Sequence, residues 1–262
     1  MTEHVAERPE AATAPPPAEP DSMTPGAAAR PALVLPAFGA TDGGHRGTTL
    51  LIAVNTAIAL VCLVLLGTEG ELDPIAAMVD GITRLHEVAE MDGRAVDDGQ
   101  VWRLFSSFWV HYGLVHLIVN MVMLGLAGWK LESALGTRRF LGSYLVFGLA
   151  ASVATYFAAH DALTAGASGA IFGVLGALLV VRIRLRLSLV LPIVLLVVGA
   201  AETFLVPGVA IAAHVVGALV GAVIAAGYAY SSGERRATIQ RAVPLLTLAS
   251  LLVLVAAAAL LG

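Results

Sequence analysis

Long apolar runs with almost no charged residues constrain this chain more than any other feature. A helix needs about 20 apolar residues to cross the ~30 Å hydrocarbon core of a bilayer. The sequence predicts seven such spans, near 48–66, 107–129, 140–159, 166–181, 187–206, 208–230 and 242–262. Only 13% of the residues are charged, against roughly 25% in soluble domains. We therefore expect an all-α polytopic membrane protein.

Two segments outside these spans differ in composition. Residues 1–47 hold most of the chain's 12 prolines and many alanines, and such a segment cannot bury enough apolar surface to fold. We expect it to be a disordered cytoplasmic tail. Residues 67–106 are rich in Asp and Glu and predict a long acidic loop, too long for a turn and too polar to be buried. The net charge of -4 argues against a nucleic-acid partner.

The basic residues between the spans predict an orientation. They fall in alternate loops, at Lys130, Arg138, Arg139, Arg182, Arg184, Arg186, Arg235, Arg236 and Arg241, whereas 160–165 and 202–208 contain none. Cytoplasmic loops carry the excess of Lys and Arg. This distribution predicts a cytoplasmic N-terminus and an external acidic loop, and the Ala- and Val-rich composition favours a bacterial plasma membrane.

The fourth predicted span is too short to cross the membrane. Its 16 residues give about 24 Å of helix, and Arg182 anchors its cytoplasmic end. Ser168 is therefore expected below the outer surface, and the loop before it must enter the membrane. Irregular backbone at that depth requires surrounding protein or a water-filled cavity, so a hydroxyl there marks a candidate site.

Few other polar residues are predicted at the same depth. They belong to the second and sixth spans, which also enter the membrane from outside. His116 and Asn120 are four residues apart, hence on one helical face, and His214 lies in the outer half of the sixth span, 208–230. His111 is expected near the surface and solvated. Intramembrane polar residues are costly and usually functional.

Glycines predict that His214 meets Ser168. Gly169, Gly173 and Gly176 recur at helical spacing, and Gly217 and Gly221 lie on the stripe of His214. Small residues at such spacing let membrane helices approach closely. If the two stripes meet, the imidazole faces the hydroxyl.

Simpler interpretations exist for each residue. A lone serine among glycines is usually a packing residue, and an intramembrane histidine is also typical of a proton relay or a haem ligand. Close packing around His214 leaves no space for a porphyrin. The segment His86-Glu87-Val88-Ala89-Glu90 departs from a zinc-protease motif in its last residue. We expect no metal and no cofactor.

Taken together, several short motifs resemble those of the rhomboid intramembrane serine proteases. They are Gly166-Ala-Ser168-Gly169, His116-x-x-x-Asn120, Ala213-His214-x-x-Gly217, Trp102-Arg103 and Glu132-x-x-x-Gly136. The resemblance covers 48–232 and implies a six-helix rhomboid-like bundle. It leaves 233–262 as a basic linker and one extra C-terminal transmembrane helix.

The resemblance also implies a mechanism. Ser168 would be the nucleophile and His214 its base, while His116, Asn120 and the backbone N–H of Ser168 would form the oxyanion hole. Gly166, Gly169, Phe172 and Gly217 would support them, with Phe172 standing where the family often has a tyrosine that stacks on the histidine. The implied partners are the lipid bilayer and single-span membrane proteins, cleaved near their extracytoplasmic end.

Two other functions stay open at this point. A transporter would also carry intramembrane His and Asn, although its usual internal repeats are not found in this sequence. A non-catalytic rhomboid-like protein that binds membrane proteins would keep the fold without using the Ser–His pair.

Overall fold

A computed structural model describes residues 45–67, 84–205 and 211–261, and these ranges contain ten helices. They are α1 (Arg46–Gly67), α2 (Arg84–Ala89), α3 (Gly93–Asp97), α4 (Arg103–Ser106), α5 (Gly113–Leu135), α6 (Thr137–Ala158), α7 (Ser168–Arg184), α8 (Val190–Leu205), α9 (Ile211–Tyr230) and α10 (Arg236–Leu261). Within these ranges the β pairing is one isolated antiparallel bridge, between Met91 and Thr164. Most of the predicted tail, 1–44, and part of the acidic loop, 68–83, lie outside the described residues.

The described helices make this an all-α multi-pass membrane protein. By length and composition, α5, α6, α9 and most of α10 can each cross a membrane, while α1 and α8 include shorter apolar stretches. The central helix, α7, has 17 residues and is therefore only about 26 Å long. The predicted shortness of this span is confirmed.

The short helix α7 lies at the centre of the bundle. It packs against α5, α6, α8 and α9, and nearly all of its residues from Gly169 to Val181 are buried. Because α7 is surrounded by other helices, its first residue can sit at membrane depth without exposing its backbone to lipid.

Two predicted spans have the wrong boundaries, and the second span also ends later than expected, at Leu135 rather than at 129. The second span was expected from residue 107, but α5 begins at Gly113. The apolar residue Phe108 was counted as part of the span, whereas it is buried in the core of the protein. The last span was expected from residue 242, but α10 begins at Arg236 and continues through Pro244. Gln240 fixes this extension, since it accepts a hydrogen bond from Arg139 at 3.0 Å and donates one to the Tyr228 carbonyl at 3.1 Å.

The described part of the acidic loop is folded and partly buried, so the prediction that it is too polar to be buried is wrong. Arg103 is 5% exposed and donates to the carbonyl oxygens of Glu90 and Glu87 at 2.8 and 2.5 Å. Trp102 donates to the Val88 carbonyl at 3.0 Å. The Arg103 guanidinium thus satisfies the buried carbonyl of Glu90, which is what lets polar residues be buried.

Two carboxyl groups of this loop region are perturbed by their surroundings. Burial raises the pKa of Glu90, although its carboxylate accepts a hydrogen bond from the Tyr112 hydroxyl at 2.6 Å. The Tyr156 hydroxyl, and then His160, hold the pKa of Asp97 below its usual range. Asp97 accepts hydrogen bonds from both, at 2.5 and 2.9 Å, which ties α3 to the end of α6.

Glu132 organises the opposite end of the bundle. Its carboxylate accepts hydrogen bonds from the N–H groups of Gly47 and Thr48, each at 2.8 Å, and from the Thr48 and Thr137 hydroxyls, each at 2.7 Å. It therefore caps the start of α1, where backbone N–H groups lack helical partners. Gly136, with φ +81°, makes the turn from α5 to α6.

Candidate active site

Ser168 and His214 meet at the ends of two neighbouring helices. Ser168 is the first residue of α7 and His214 lies in the first turn of α9. The His214 Nε2 atom is 2.8 Å from the Ser168 Oγ, within hydrogen-bonding distance. The imidazole is 4% exposed, while the serine, half-buried, stays open to a cavity. The structure thus pairs a hydroxyl with a base inside the bundle.

Backbone contact between α7 and α9 sets this distance. A Cβ atom added at Gly217 would lie 2.2 Å from the Gly169 carbonyl oxygen, and one at Gly221 would lie 1.9 Å from that of Gly173. A Cβ at Gly176 would lie 2.1 Å from the Ala218 carbonyl oxygen. No side chain fits between the helices at these three positions, so the predicted meeting of the two glycine stripes is confirmed.

Phe172 and Thr203 contact the other parts of the imidazole. The Phe172 ring stacks on His214 with centroids 4.0 Å apart and planes 4° apart. The Thr203 Oγ1, on α8, lies 2.6 Å from the His214 Nδ1. Thr203 does not stand out in the sequence, because a threonine in an apolar helix most often bonds its own backbone. This one also does, to the Gly199 carbonyl at 2.8 Å.

A cavity of about 40 Å³ opens on the serine. Ser168, His214 and His116 line it, together with Ser107, Phe108, Gly148, Ala151, Ser152, Thr155, Thr164, Ala165, Gly166, Gly169 and Ala213. This volume is enough to hold water. Small side chains form much of the wall next to the hydroxyl.

Gly166 brings the loop before α7 against His116. Its φ is +131°, and an added Cβ would lie 2.6 Å from the His116 Cε1, so only glycine suits both the backbone and the space. The Gly166 N–H donates to the Ser107 carbonyl at 3.0 Å. The loop is thereby fixed to the segment before α5.

Asn120 lies one turn below His116 and does not line the cavity. It is 1% exposed, and its Nδ2 donates to the His116 carbonyl at 2.9 Å. The structure therefore brings Ser168, His214 and His116 together around one space and keeps Asn120 just behind them.

His111 was expected to be solvated, and this prediction is wrong. It is 5% exposed, and its Nε2 accepts the N–H of Ala167 at 3.3 Å, directly before the serine. Its ring lies 5.4 Å from that of His116. Its burial was missed because it follows from the folding of 84–112 over this end of the bundle, which an acidic composition does not reveal.

The fold and this site define a multi-pass membrane protein that holds a Ser–His pair at the start of a short central helix. A family model, the rhomboid domain, matches residues 98–231, about half of the chain. The chain belongs to the rhomboid family, as its motifs predicted.

Individual relatives agree with this assignment. RHOMBOID-like protein 5 of Arabidopsis thaliana is 37% identical over 100 residues, which is 37% of this chain and 32% of the relative. RHOMBOID-like protein 7 of the same plant is 41% identical over 87 residues, or 33% and 28% of the two chains. Rhomboid protease GluP of Bacillus subtilis (strain 168) is 41% identical over 92 residues, or 35% and 18%. The matched segment thus spans a third or less of these relatives.

Proposed function

We propose that this chain is an intramembrane serine endopeptidase that acts through Ser168 and His214. The observation that carries the proposal is the 2.8 Å contact between the Ser168 Oγ and the His214 Nε2 beside a water-sized cavity. A relative that bears the name rhomboid protease adds support.

The pair is suited to acyl transfer. His214 takes the hydroxyl proton as the Ser168 Oγ bonds to the scissile carbonyl carbon, and it returns that proton to the amine as the C–N bond breaks. Water, activated by the same imidazole, then hydrolyses the acyl-enzyme. Each step needs one base that alternates between neutral and protonated forms, and His214 supplies it.

The oxyanion would be stabilised by groups at the start of α7. The first N–H groups of a helix have no intrahelical partner and carry the positive end of the helix dipole, so the Ser168 N–H suits a developing negative charge. His116 lines the same cavity. One amide N–H of Asn120 donates to the His116 carbonyl. The other N–H would either donate to the oxyanion or help to hold His116 in position.

Substitution of the oxyanion donors tests this arrangement. His116→Ala and Asn120→Ala should each lower kcat by roughly 10²-fold with little change in KM, because such donors act mainly in the transition state. Steady-state cleavage in proteoliposomes measures both constants. An unchanged kcat with a large rise in KM for Asn120→Ala would assign that residue to substrate binding.

The position of Ser168 limits the substrate. A peptide bond in an intact helix has its carbonyl hydrogen-bonded within the helix and covered by side chains, so the Ser168 hydroxyl cannot reach it and the cleaved segment must unwind. We therefore infer that substrates are single-span membrane proteins whose helix is weakened by Gly or Pro near its outer end. Gly169, Ala151 and Ala213 at the wall of the cavity favour a small residue, such as Ala, before the cut.

The proposed orientation has the N-terminus in the cytoplasm and Ser168 toward the outer face of a plasma membrane. Arg182 and Arg184 lie at the end of α7 opposite the serine, which supports this direction by the positive-inside rule. The relatives come from a plant and from a bacterium, so a bacterial source stays a prediction.

Cleavage of a single-span protein in proteoliposomes tests the function. Ser168→Ala and His214→Ala should each abolish turnover, because the first lacks the nucleophile and the second lacks the base. Ser133→Ala is a matched control, since that hydroxyl donates to the Trp129 carbonyl of its own helix at 2.7 Å. Mass spectrometry of the products should place the cut near the outer end of the substrate helix. Full turnover by Ser168→Ala, or binding without cleavage by the unaltered protein, contradicts the proposal.

A further inference from the structure

The Thr203 hydroxyl makes two hydrogen bonds at once. It lies 2.8 Å from the Gly199 carbonyl oxygen and 2.6 Å from the His214 Nδ1. A threonine hydroxyl has one hydrogen to donate and two lone pairs that accept. A carbonyl oxygen can only accept, so the hydroxyl hydrogen belongs to the bond with Gly199.

This assignment determines which nitrogen of His214 carries the proton. With its hydrogen spent on Gly199, the Thr203 oxygen can only accept from His214, and the Nδ1 atom must therefore be the donor. A neutral imidazole has one N–H, which leaves the Nε2 atom with a free lone pair. That atom is the one 2.8 Å from the Ser168 hydroxyl.

We propose that Thr203 is a positioning residue that holds His214 in the Nδ1–H tautomer, so that the Nε2 atom can accept the proton of Ser168. The inference rests on the proposed function, since it gives the base of that function its orientation. The opposite tautomer would present an N–H to Ser168 and could not act as its base. The chain thus uses a hydroxyl and a backbone carbonyl in the place where many serine hydrolases use a carboxylate.

The residues around Thr203 favour its contact with His214. Gly199 is close to Phe172, because an added Cβ would lie 2.7 Å from the Phe172 Cε2. Phe172 in turn stacks on His214. The same residue, Gly199, therefore accepts the Thr203 hydrogen and lets α8 approach the imidazole.

The test measures the tautomer and the reactivity of the serine separately. The full-length protein, labelled with ¹⁵N at histidine, is studied by NMR in lipid nanodiscs, and the His214 signals are identified by their loss in His214→Gln. The rate at which a fluorophosphonate labels Ser168 is measured on the same samples. The variants are Thr203→Val, which keeps the shape but removes the hydroxyl, Thr203→Ala, and Thr203→Ser, which keeps the hydroxyl.

We expect the unaltered protein to show a protonated Nδ1 and an unprotonated Nε2. Thr203→Val and Thr203→Ala should raise the Nε2–H population and slow labelling about fivefold to tenfold, the range of one lost hydrogen bond. Thr203→Ser should restore both. Thr247→Val is the matched control, because Thr247 makes the same bond within its helix, to the Val243 carbonyl at 2.9 Å, and it should change neither.

Two results would overturn the inference. One is an unchanged Nδ1–H tautomer with unchanged labelling in Thr203→Val and Thr203→Ala. The other is a Thr203→Ser variant as defective as Thr203→Val, because the hydroxyl would then not be the active group. A failure of the proposed function looks different: the unaltered protein would not be labelled at Ser168, while the tautomer signals would still decide the role of Thr203.

Discussion

His214 is held from two sides by different means. On one side, α7 and α9 meet backbone to backbone, with no side chain between them at Gly217 and Gly221. On the other side, α8 reaches the imidazole through the single side chain of Thr203. The outer surface of α8 is open, with Val190 67% and Val197 63% exposed.

The two sides of His214 meet two different requirements of the site. Backbone packing sets the distance between Ser168 and His214, and atoms of the main chain cannot rotate away to relieve a clash. The orientation of the imidazole depends on Thr203 and Phe172, whose side chains can adjust. We therefore expect changes at the α7–α9 contact to be severe and changes at the α8 contact to be graded.

Gly221→Ala should have the largest effect. Its Cβ would lie 1.9 Å from the Gly173 carbonyl oxygen, so the two helices must separate. Overpacking typically costs 1–3 kcal/mol, and we expect about 3 kcal/mol here because the clash is with backbone. Unfolding of the detergent-solubilised protein, followed by circular dichroism, measures this loss.

Gly142→Ala is the control for that experiment. An added Cβ at Gly142, also in a helix, meets nothing within 4 Å. Alanine is favoured over glycine in helices by about 1 kcal/mol, so this variant should be as stable as the unaltered protein or more so. Equal stability of the Gly221 and Gly142 variants would show that the α7–α9 contact is not tight.

Gly199→Ala should have a smaller effect. Its Cβ would lie 2.7 Å from the Phe172 Cε2 and 3.2 Å from the Met123 Cε, both of which are side-chain atoms that can move. We expect a cost of about 1 kcal/mol and, since α8 shifts away from His214, labelling of Ser168 a few-fold slower. Destabilisation as large as that of Gly221→Ala would mean that α8 is not the adjustable side.

Sequence patterns predicted the parts of this site that depend on period and length. The spacing of glycines predicted the α7–α9 contact, and the short fourth span predicted where Ser168 lies. Thr203 could not be predicted in this way. Its role depends on the rotation of α8 about its axis, and an apolar helix with no strong polar face does not reveal that rotation.

The folding of the acidic loop was also hidden from composition. The acidic composition of 67–106 suggested exposure, yet Arg103 and Glu90 are buried, because backbone carbonyls and the Tyr112 hydroxyl satisfy them. Such partners come from residues distant in the fold or from irregular backbone, which composition does not describe. The burial of His111 was missed for the same reason.

The most direct test of the central claim is to ask which atom of this protein becomes covalently modified. The unaltered protein in proteoliposomes is treated with a fluorophosphonate, digested, and analysed by mass spectrometry. We expect a single major adduct on Ser168, and at least about 10²-fold slower labelling in His214→Ala, since a general base contributes that much or more. An adduct on another serine, or equal labelling of Ser168 without His214, would contradict the account.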